Sequence, residues 1–174
     1  ITRMRMRAQK QVATGADGGA SRIGDALPAA GVPGELTQLE RVGRSLTGAP
    51  LSAGNRVELL HNGESAFPAM IAAIESARVE VVLATYIFET NDTGRRFVVV
   101  LAAARDRGVR VLVLIDGIGE LYSFPWVTWL LRKRGVRTLR FLPPRLLPPR
   151  LQINLRNHRK VLVVDGKIAF TGGM

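Results

Sequence analysis

The sequence predicts an α/β sandwich with largely parallel strands joined by crossover helices. Residues 79–88 and 109–115 are nearly continuous apolar runs, as expected of strands covered on both faces. A helical-period stretch separates them, and strand–helix–strand alternation implies a crossover between parallel neighbours. The chain has 174 residues of which 47% are hydrophobic, enough for about one domain with a sizeable core.

Residues 1–10 carry Arg3, Arg5, Arg7 and Lys10 and no acid. They read either as a disordered basic tail or as a cytoplasmic segment following a membrane helix. Residues 11–34 are rich in Gly, Ala and Pro and are expected to be flexible. Leu36, Leu39, Val42 and Leu46 fall at helical spacing and predict a short helix over 35–46. Residues 48–55 read as a linker, so the domain boundary falls there: 1–54 as a basic segment and linker, 55–174 as the folded half-domain. A strand over 57–60 and a turn over 61–63 come next. The helical stripe Phe67, Met70, Ile71 and Ile74 then predicts a core-facing helix over 64–77. Asn91 or Asp92 caps a further helix that runs to about Arg107 and ends at Gly108.

Ser123 is expected to cap the next helix, with Pro125 in its first turn and Gly135 just beyond its end. That helix is apolar on most sides, which reads most simply as core. A helix lying in a lipid interface is the second reading, given Trp126, Trp129 and the basic end Arg132, Lys133 and Arg134. Residues 136–142 predict a strand, and the proline-rich residues 143–151 an extended loop.

The last stretch carries the chemistry. Residues 161–164 are a β-branched apolar run, Asp165-Gly166 favours a two-residue type I′ turn, and residues 167–171 return. In an extended chain His158 and Lys160 project to the same side. An imidazole there can attack phosphorus while the ammonium stabilises charge on the phosphoryl oxygens. Asp165 lies seven residues on and reads as a hairpin-end group rather than a partner of His158. A bare His-x-Lys alone would read as a solvated basic hairpin. Tyr86, Glu89 and Asp116 stand near strand C-terminal ends, where open α/β sheets bind ligands. For Glu89 and Asp116, packing or loop capping is the favoured reading. His61, the only other histidine, sits in a predicted turn and reads as a surface group.

Between 132 and 160 there are ten basic residues and no acid, and the formal charge of the chain is +11. Both point to anionic partners, lipid headgroups or nucleic acid. The absence of cysteine excludes disulfides and thiolate metal sites. The longest wholly apolar run, 97–104, is too short to span a bilayer. The chain begins with Ile and shows no signal peptide, and both ends are expected to be cuts in a longer protein.

The pattern His158-x-Lys160-x4-Asp165, with Gly172-Gly173 following, resembles the HxKxxxxD motif of the phospholipase D superfamily. Asn-Leu-Arg-Asn-His-Arg-Lys together with Phe-Thr-Gly-Gly-Met is similar to the first of two motif copies in bacterial cardiolipin synthases. Asn55-Arg-Val, Thr85-Tyr-Ile-Phe, Asp92-Thr-Gly94, Arg107-Gly-Val-Arg-Val and Asp116-Gly-Ile-Gly119 extend the resemblance over 55–174. It implies a phospholipase D-like sandwich, incomplete at its C-terminus and ending in the motif hairpin. The implied activity is phosphatidyl transfer from one phosphatidylglycerol to another through a phosphohistidine. His158 would be nucleophile or acid/base and Lys160 the phosphate cation, while Asp165, Gly172 and Gly173 shape the site. Tyr86 and Arg156 are further candidates for substrate contact.

No cofactor or metal is implied, since the cation of the motif is a side chain. The implied partners are anionic phospholipid at a membrane surface and a second motif, from a C-terminal half or a homodimer partner. The implied location is the bacterial cell membrane, with the catalytic part facing the cytoplasm. Nucleic acid is not expected, although a nuclease or other phosphodiesterase of the superfamily is the first rival reading and a non-catalytic lipid-binding remnant the second. With its partner missing, the hairpin is expected to show an uncovered apolar edge near Ile168 and Phe170.

Overall fold

The computed structural model describes residues 2–5, 34–49, 55–146, 149–150, 156 and 158–173. Arg7 and Lys10 of the basic stretch, residues 11–33 of the segment predicted as flexible over 11–34, 50–54 of the linker, 147, 148 and 151 of the proline-rich stretch, and Asn154, Leu155, Asn157 and Met174 of the motif stretch lie outside the described residues.

Two compact units divide the chain: the strand Thr2–Arg5 joins everything from Arg56 onward, while the other unit lies within Arg7–Asn55. The described part of the smaller unit is a 3-10 turn, Gly34–Leu36, continuing into helix α1, Thr37–Thr47, which ends at the left-handed Gly48. Its predicted stripe of Leu36, Leu39, Val42 and Leu46 is exposed.

The larger unit is built on one seven-stranded sheet in the order β2-β1-β9-β8-β3-β4-β5. These strands are β1 (Thr2–Arg5), β2 (Arg56–Leu59), β3 (Glu80–Thr85), β4 (Arg110–Asp116), β5 (Arg137–Phe141), β8 (Val161–Val164) and β9 (Ile168–Thr171). Only β3, β4 and β5 run parallel, connected as expected through helices α3 (Asp92–Asp106) and α4 (Val127–Lys133). The other four pairings are antiparallel, so the sheet is mixed rather than largely parallel. The physical reason lies in the short connections. A turn such as Asp165-Gly166 returns a strand beside itself, and only a crossover of a dozen or more residues restores parallel direction.

Alternation places Val81, Leu83 and Thr85 of β3 on the buried face, in register with Val111, Val113 and Ile115 of β4 and with Val164 and Leu162 of β8. Helix α2 (Asn62–Glu75) packs against α3 and β8, α3 against β4 and α4, and α4 against β5, so the helices share that face. Its core includes Met70, Ile74, Leu101, Leu131, Leu162 and Phe170, all essentially inaccessible to water.

Several local expectations are corrected. Residues 2–5, expected within a basic tail, form the strand between β2 and β9. The edge near Ile168 and Phe170 is therefore paired, and Phe170 is fully buried. The predicted turn does form, with Asp165 and Gly166 both at positive φ and the Lys167 N–H donating to Val164 C=O at 3.0 Å, but the ladder resumes one residue later, Val164 opposite Ile168. The Asp165 N–H also donates to Glu80 C=O at 2.8 Å, which ties the turn to β3. The proline-rich stretch folds back as a two-stranded ribbon, β6 (Arg145–Leu146) against β7 (Pro149–Arg150), rather than extending.

Helix α4 starts at Val127, four residues after the expected cap. Ser123 Oγ instead accepts the Thr90 N–H at 3.0 Å. The cap is supplied by Glu120 in the preceding 3-10 turn, whose buried carboxylate accepts the Thr128 N–H at 3.1 Å and bonds the Thr128 hydroxyl. Arg140 closes the group, donating from Nη2 to Glu120 Oε1 at 3.2 Å and to Thr128 Oγ1 at 2.7 Å. A buried carboxylate at a helix N-terminus is stabilised both by the unpaired amides and by the dipole.

Candidate active site

The candidate site forms where β3 and β4 end and β8 begins. Ala84 pairs with Val161, and Val161 with Thr171, so the ends of three strands align. Immediately beyond them lie Tyr86, the stretch His158–Lys160, and Gly172 with Gly173. The ladder of β8 begins only at Val161, so His158 and Lys160 occupy the approach to the strand rather than its paired part. His158 is exposed, and Lys160 is half-buried.

The Tyr86 ring lies against His158, centroids 4.3 Å apart and planes inclined by 31°. This contact limits how the imidazole can turn. Thr85, buried at the end of β3, donates its hydroxyl to Ile87 C=O at 2.8 Å and so holds the bend that aims Tyr86. Loss of hydration pushes the Tyr86 phenol up, with nearby Tyr122 and Asp116 adding to the effect and Arg156 opposing it. A phenol so held stays neutral near pH 7 and keeps its hydroxyl proton for donation. Gly119 makes this packing possible. A Cβ at that position would fall 1.7 Å from the Tyr86 carbonyl oxygen, so only glycine lets the β4–α4 loop approach the Tyr86 backbone.

Asp116 ties the loop together. Its buried carboxylate accepts the N–H groups of Ile118 at 2.9 Å and Gly119 at 3.3 Å, the loop-capping role favoured for it. It also receives Arg156 Nη1 at 3.3 Å, and the same Nη1 donates to Leu142 C=O at 3.0 Å. Arg156 is thereby placed differently from expectation. Its side chain is 4% exposed, drawn inward by the Asp116 charge, and it anchors the segment before His158 instead of presenting a cation to solvent. Its Nε and Nη2 have no partner among the described residues.

Asp165 sits at the far end of the hairpin, one strand length from His158, on the order of 20 Å by the rise per residue. Its carboxylate accepts the N–H groups of Arg78 at 3.0 Å, Val79 at 2.8 Å and Glu80 at 2.9 Å. Burial pushes its carboxyl up, but the three backbone donors and Lys167 outweigh it and hold the group below the usual carboxylate value. Asp165 therefore shapes the site through the backbone and does not touch His158.

His61 is exposed at the N-cap of α2. It follows β2, three strand spacings from β8, roughly 14 Å across the sheet. Glu89 is exposed and receives Asn91 Nδ2 at 3.2 Å. A cavity of about 340 Å³ opens between β3, α2 and α3, lined by Phe67, Met70, Leu83, Phe88 and Phe97 with Glu89 at its polar side. Tyr86, His158 and Lys160 do not line it, so it is separate from the candidate site.

With this geometry in view, a family described as cardiolipin synthase, PLD-like domain, matches residues 70–174. The chain belongs to that family. Cardiolipin synthase B of Escherichia coli K12 is 38% identical over 122 residues, 70% of this chain and 30% of that protein. Cardiolipin synthase A of Pseudomonas putida GB-1 is 38% identical over 128 residues, 74% of this chain and 27% of that protein. The chain thus spans about 30% of the length of the curated relatives it matches. Among solved structures, NucT from Helicobacter pylori is similar with a TM-score of 0.48 and 23% identity, covering 63% of this chain and 65% of that one. Nuc of Salmonella typhimurium, a phospholipase D family member, gives a TM-score of 0.42 and 24% identity, covering 58% of each chain.

Membership of the cardiolipin synthase family accounts for the motif stretch but not for how the site is braced. Tyr122, Gly119 and Glu120 were missed as supporting residues. The signal available for Gly119 was its pairing with Asp116 in Asp-Gly-Ile-Gly, a spacing that suits a loop closed on its own carboxylate. No local pattern announces that Tyr122 meets Tyr86, since 36 residues separate them.

Proposed function

We propose that the chain carries one half of a phosphatidyltransferase site that makes cardiolipin from two molecules of phosphatidylglycerol. The observation that carries this reading is the meeting of His158, Lys160 and Tyr86 at one strand-end mouth in a chain of the cardiolipin synthase family. The imidazole attacks phosphorus of the first phosphatidylglycerol, a P–N bond forms, and the bond from phosphorus to the glycerol headgroup oxygen breaks. A hydroxyl of the second phosphatidylglycerol, passing its proton to the conjugate base of the acid that protonated the glycerol, then attacks the same phosphorus, the P–N bond breaks, and cardiolipin leaves.

Lys160, half-buried and in no ion pair among the described residues, stabilises charge on the phosphoryl oxygens. The Tyr86 phenol orients His158. Asp116 and Arg156 fix the loops on either side, and Asp165 fixes the far end of the hairpin. Glycerol departs as an alkoxide unless an acid protonates it from the side opposite the imidazole. His61 is too far to serve, so a second motif, from another part of the protein or another copy, supplies that acid.

Among the described residues no helix is long and apolar enough to cross a membrane. In this reading the substrate is met at a bacterial membrane surface, on its cytoplasmic side. The test is to incubate the complete protein with phosphatidylglycerol and, separately, with DNA. Cardiolipin and free glycerol are expected, in EDTA as well as without it. Cleaved DNA with no cardiolipin would replace this reading with that of a nuclease.

A further inference from the structure

Between β4 and α4 the chain forms an aromatic corner that the catalytic reading leaves unused. Phe124 is 87% exposed, Tyr122 61% and Trp129 52%, with Leu121 and Trp126 also open to solvent. Large apolar side chains grouped on a surface mark an interaction site.

The corner is rigidly built. Val127, Thr128 and Leu131 bury the opposite face of α4 completely, and the Glu120–Thr128–Arg140 group pins its first turn. The core reading of this helix holds on that face, and the opposite face is open to solvent. Trp126, Trp129 and Lys133 lie three and four residues apart and share the outward face.

Charge identifies what covers it. Arg132, Lys133 and Arg134, at the end of α4, are exposed on the same element as the aromatics. The only acid between residues 117 and 164 is Glu120, which is buried and paired. On the neighbouring segment the exposed Glu89 and Asp92 are followed by the exposed Arg95 and Arg96. The Lys133 ammonium stands 5.2 Å from the Trp129 ring centroid, and the Arg140 guanidinium 5.5 Å from that of Trp126. Indole rings with cations at their faces suit the headgroup boundary of a bilayer, where the ring enters apolar depth and the cation meets phosphate.

We propose that this corner docks on an anionic bilayer, with Phe124, Trp126 and Trp129 entering the headgroup boundary and Arg132, Lys133 and Arg134 meeting lipid phosphates. The inference deepens the lipid reading above and rests on it. Tyr122 ends the 3-10 turn whose Gly119 packs on the Tyr86 backbone, and the Tyr86 ring lies on His158, so docking here brings lipid phosphate to the mouth of the site.

The chain has two tryptophans and both lie in the corner, so their emission reports on it directly. The chain is mixed with vesicles of phosphatidylglycerol and phosphatidylcholine, one set carrying brominated acyl chains. Emission should shift to the blue and be quenched by the brominated set, and binding should weaken as salt rises. Phe124→Ser should weaken vesicle binding about tenfold, the loss of one buried aromatic ring. Lys133→Glu with Arg134→Glu should weaken it on the order of tenfold or more. Circular dichroism matching the parent shows that each variant folds.

Vesicle binding with unshifted, unquenched emission would overturn the proposal, as would no binding at low salt. A shift that appears without lipid, grows with protein concentration and vanishes in Phe124→Ser would also overturn it, since protein would then cover the corner. No turnover is required, so failure here leaves the transferase reading to its own product assay.

Discussion

Asp165 shows how a motif residue serves a site it does not touch. Three backbone N–H groups converge on its carboxylate and lock the start of β3 to the hairpin turn. Its pKa is lowered by folding, so its contribution to stability is present above the unfolded carboxylate value near 4 and is lost as pH falls through the folded value. Asp165→Asn keeps the shape and tolerates the positive φ, yet removes the charge from these bonds. It should cost about 1–3 kcal/mol in denaturant unfolding at neutral pH, with the gap to the parent narrowing below pH 4. Lys160→Ala should reduce transfer by the complete protein on the order of 10²–10³-fold with little change in stability, if it acts like loss of an oxyanion donor. At this scale the sequence was informative where spacing alone decides. It separated His158 and Lys160 from Asp165. It did not reveal that Arg156 turns inward, because its partner Asp116 lies 40 residues away.

Among the elements, β3, β4 and the β8–β9 hairpin were legible because their apolar runs and turn residues are local signals. Strand β1 was not. Its Thr-Arg-Met-Arg sequence carries a charge at every second position and reads as a basic tail, and the strands that pair it begin 51 or more residues after its end. The start of α4 was misplaced for a related reason. Ser123 looks like a cap locally, but its hydroxyl is engaged by Thr90 and the buried Glu120 performs the capping. Two substitutions separate these roles. Glu120→Ala should destabilise the fold by about 2–4 kcal/mol, since it uncaps α4 and strips Arg140 of its carboxylate. Ser123→Ala should cost no more than about 1 kcal/mol, the worth of one hydrogen bond. Equal effects in denaturant melts would contradict the assignment.

For the whole molecule, three strand ends and two loops converge on one mouth, braced there by Asp116, Gly119 and Arg156, while Asp165 holds the far end of the hairpin. The sheet buries one face under α2, α3 and α4. On its other face Val82, Ala84, Leu112, Leu114, Val161 and Val163 remain half-buried, a layer-sized apolar surface that suits a further packed element. The sequence conveyed this mixed fold only in part, because the antiparallel half depends on which distant strands meet, and periodicity is silent on that. The account turns on His158 as the attacking group, and acid-quench trapping tests it most directly. The complete protein, mixed with phosphatidylglycerol labelled in its acyl chains and quenched within a turnover, should carry label on His158, and His158→Ala should lose both label and cardiolipin formation. Full activity in His158→Ala, or label confined to another residue, would contradict it.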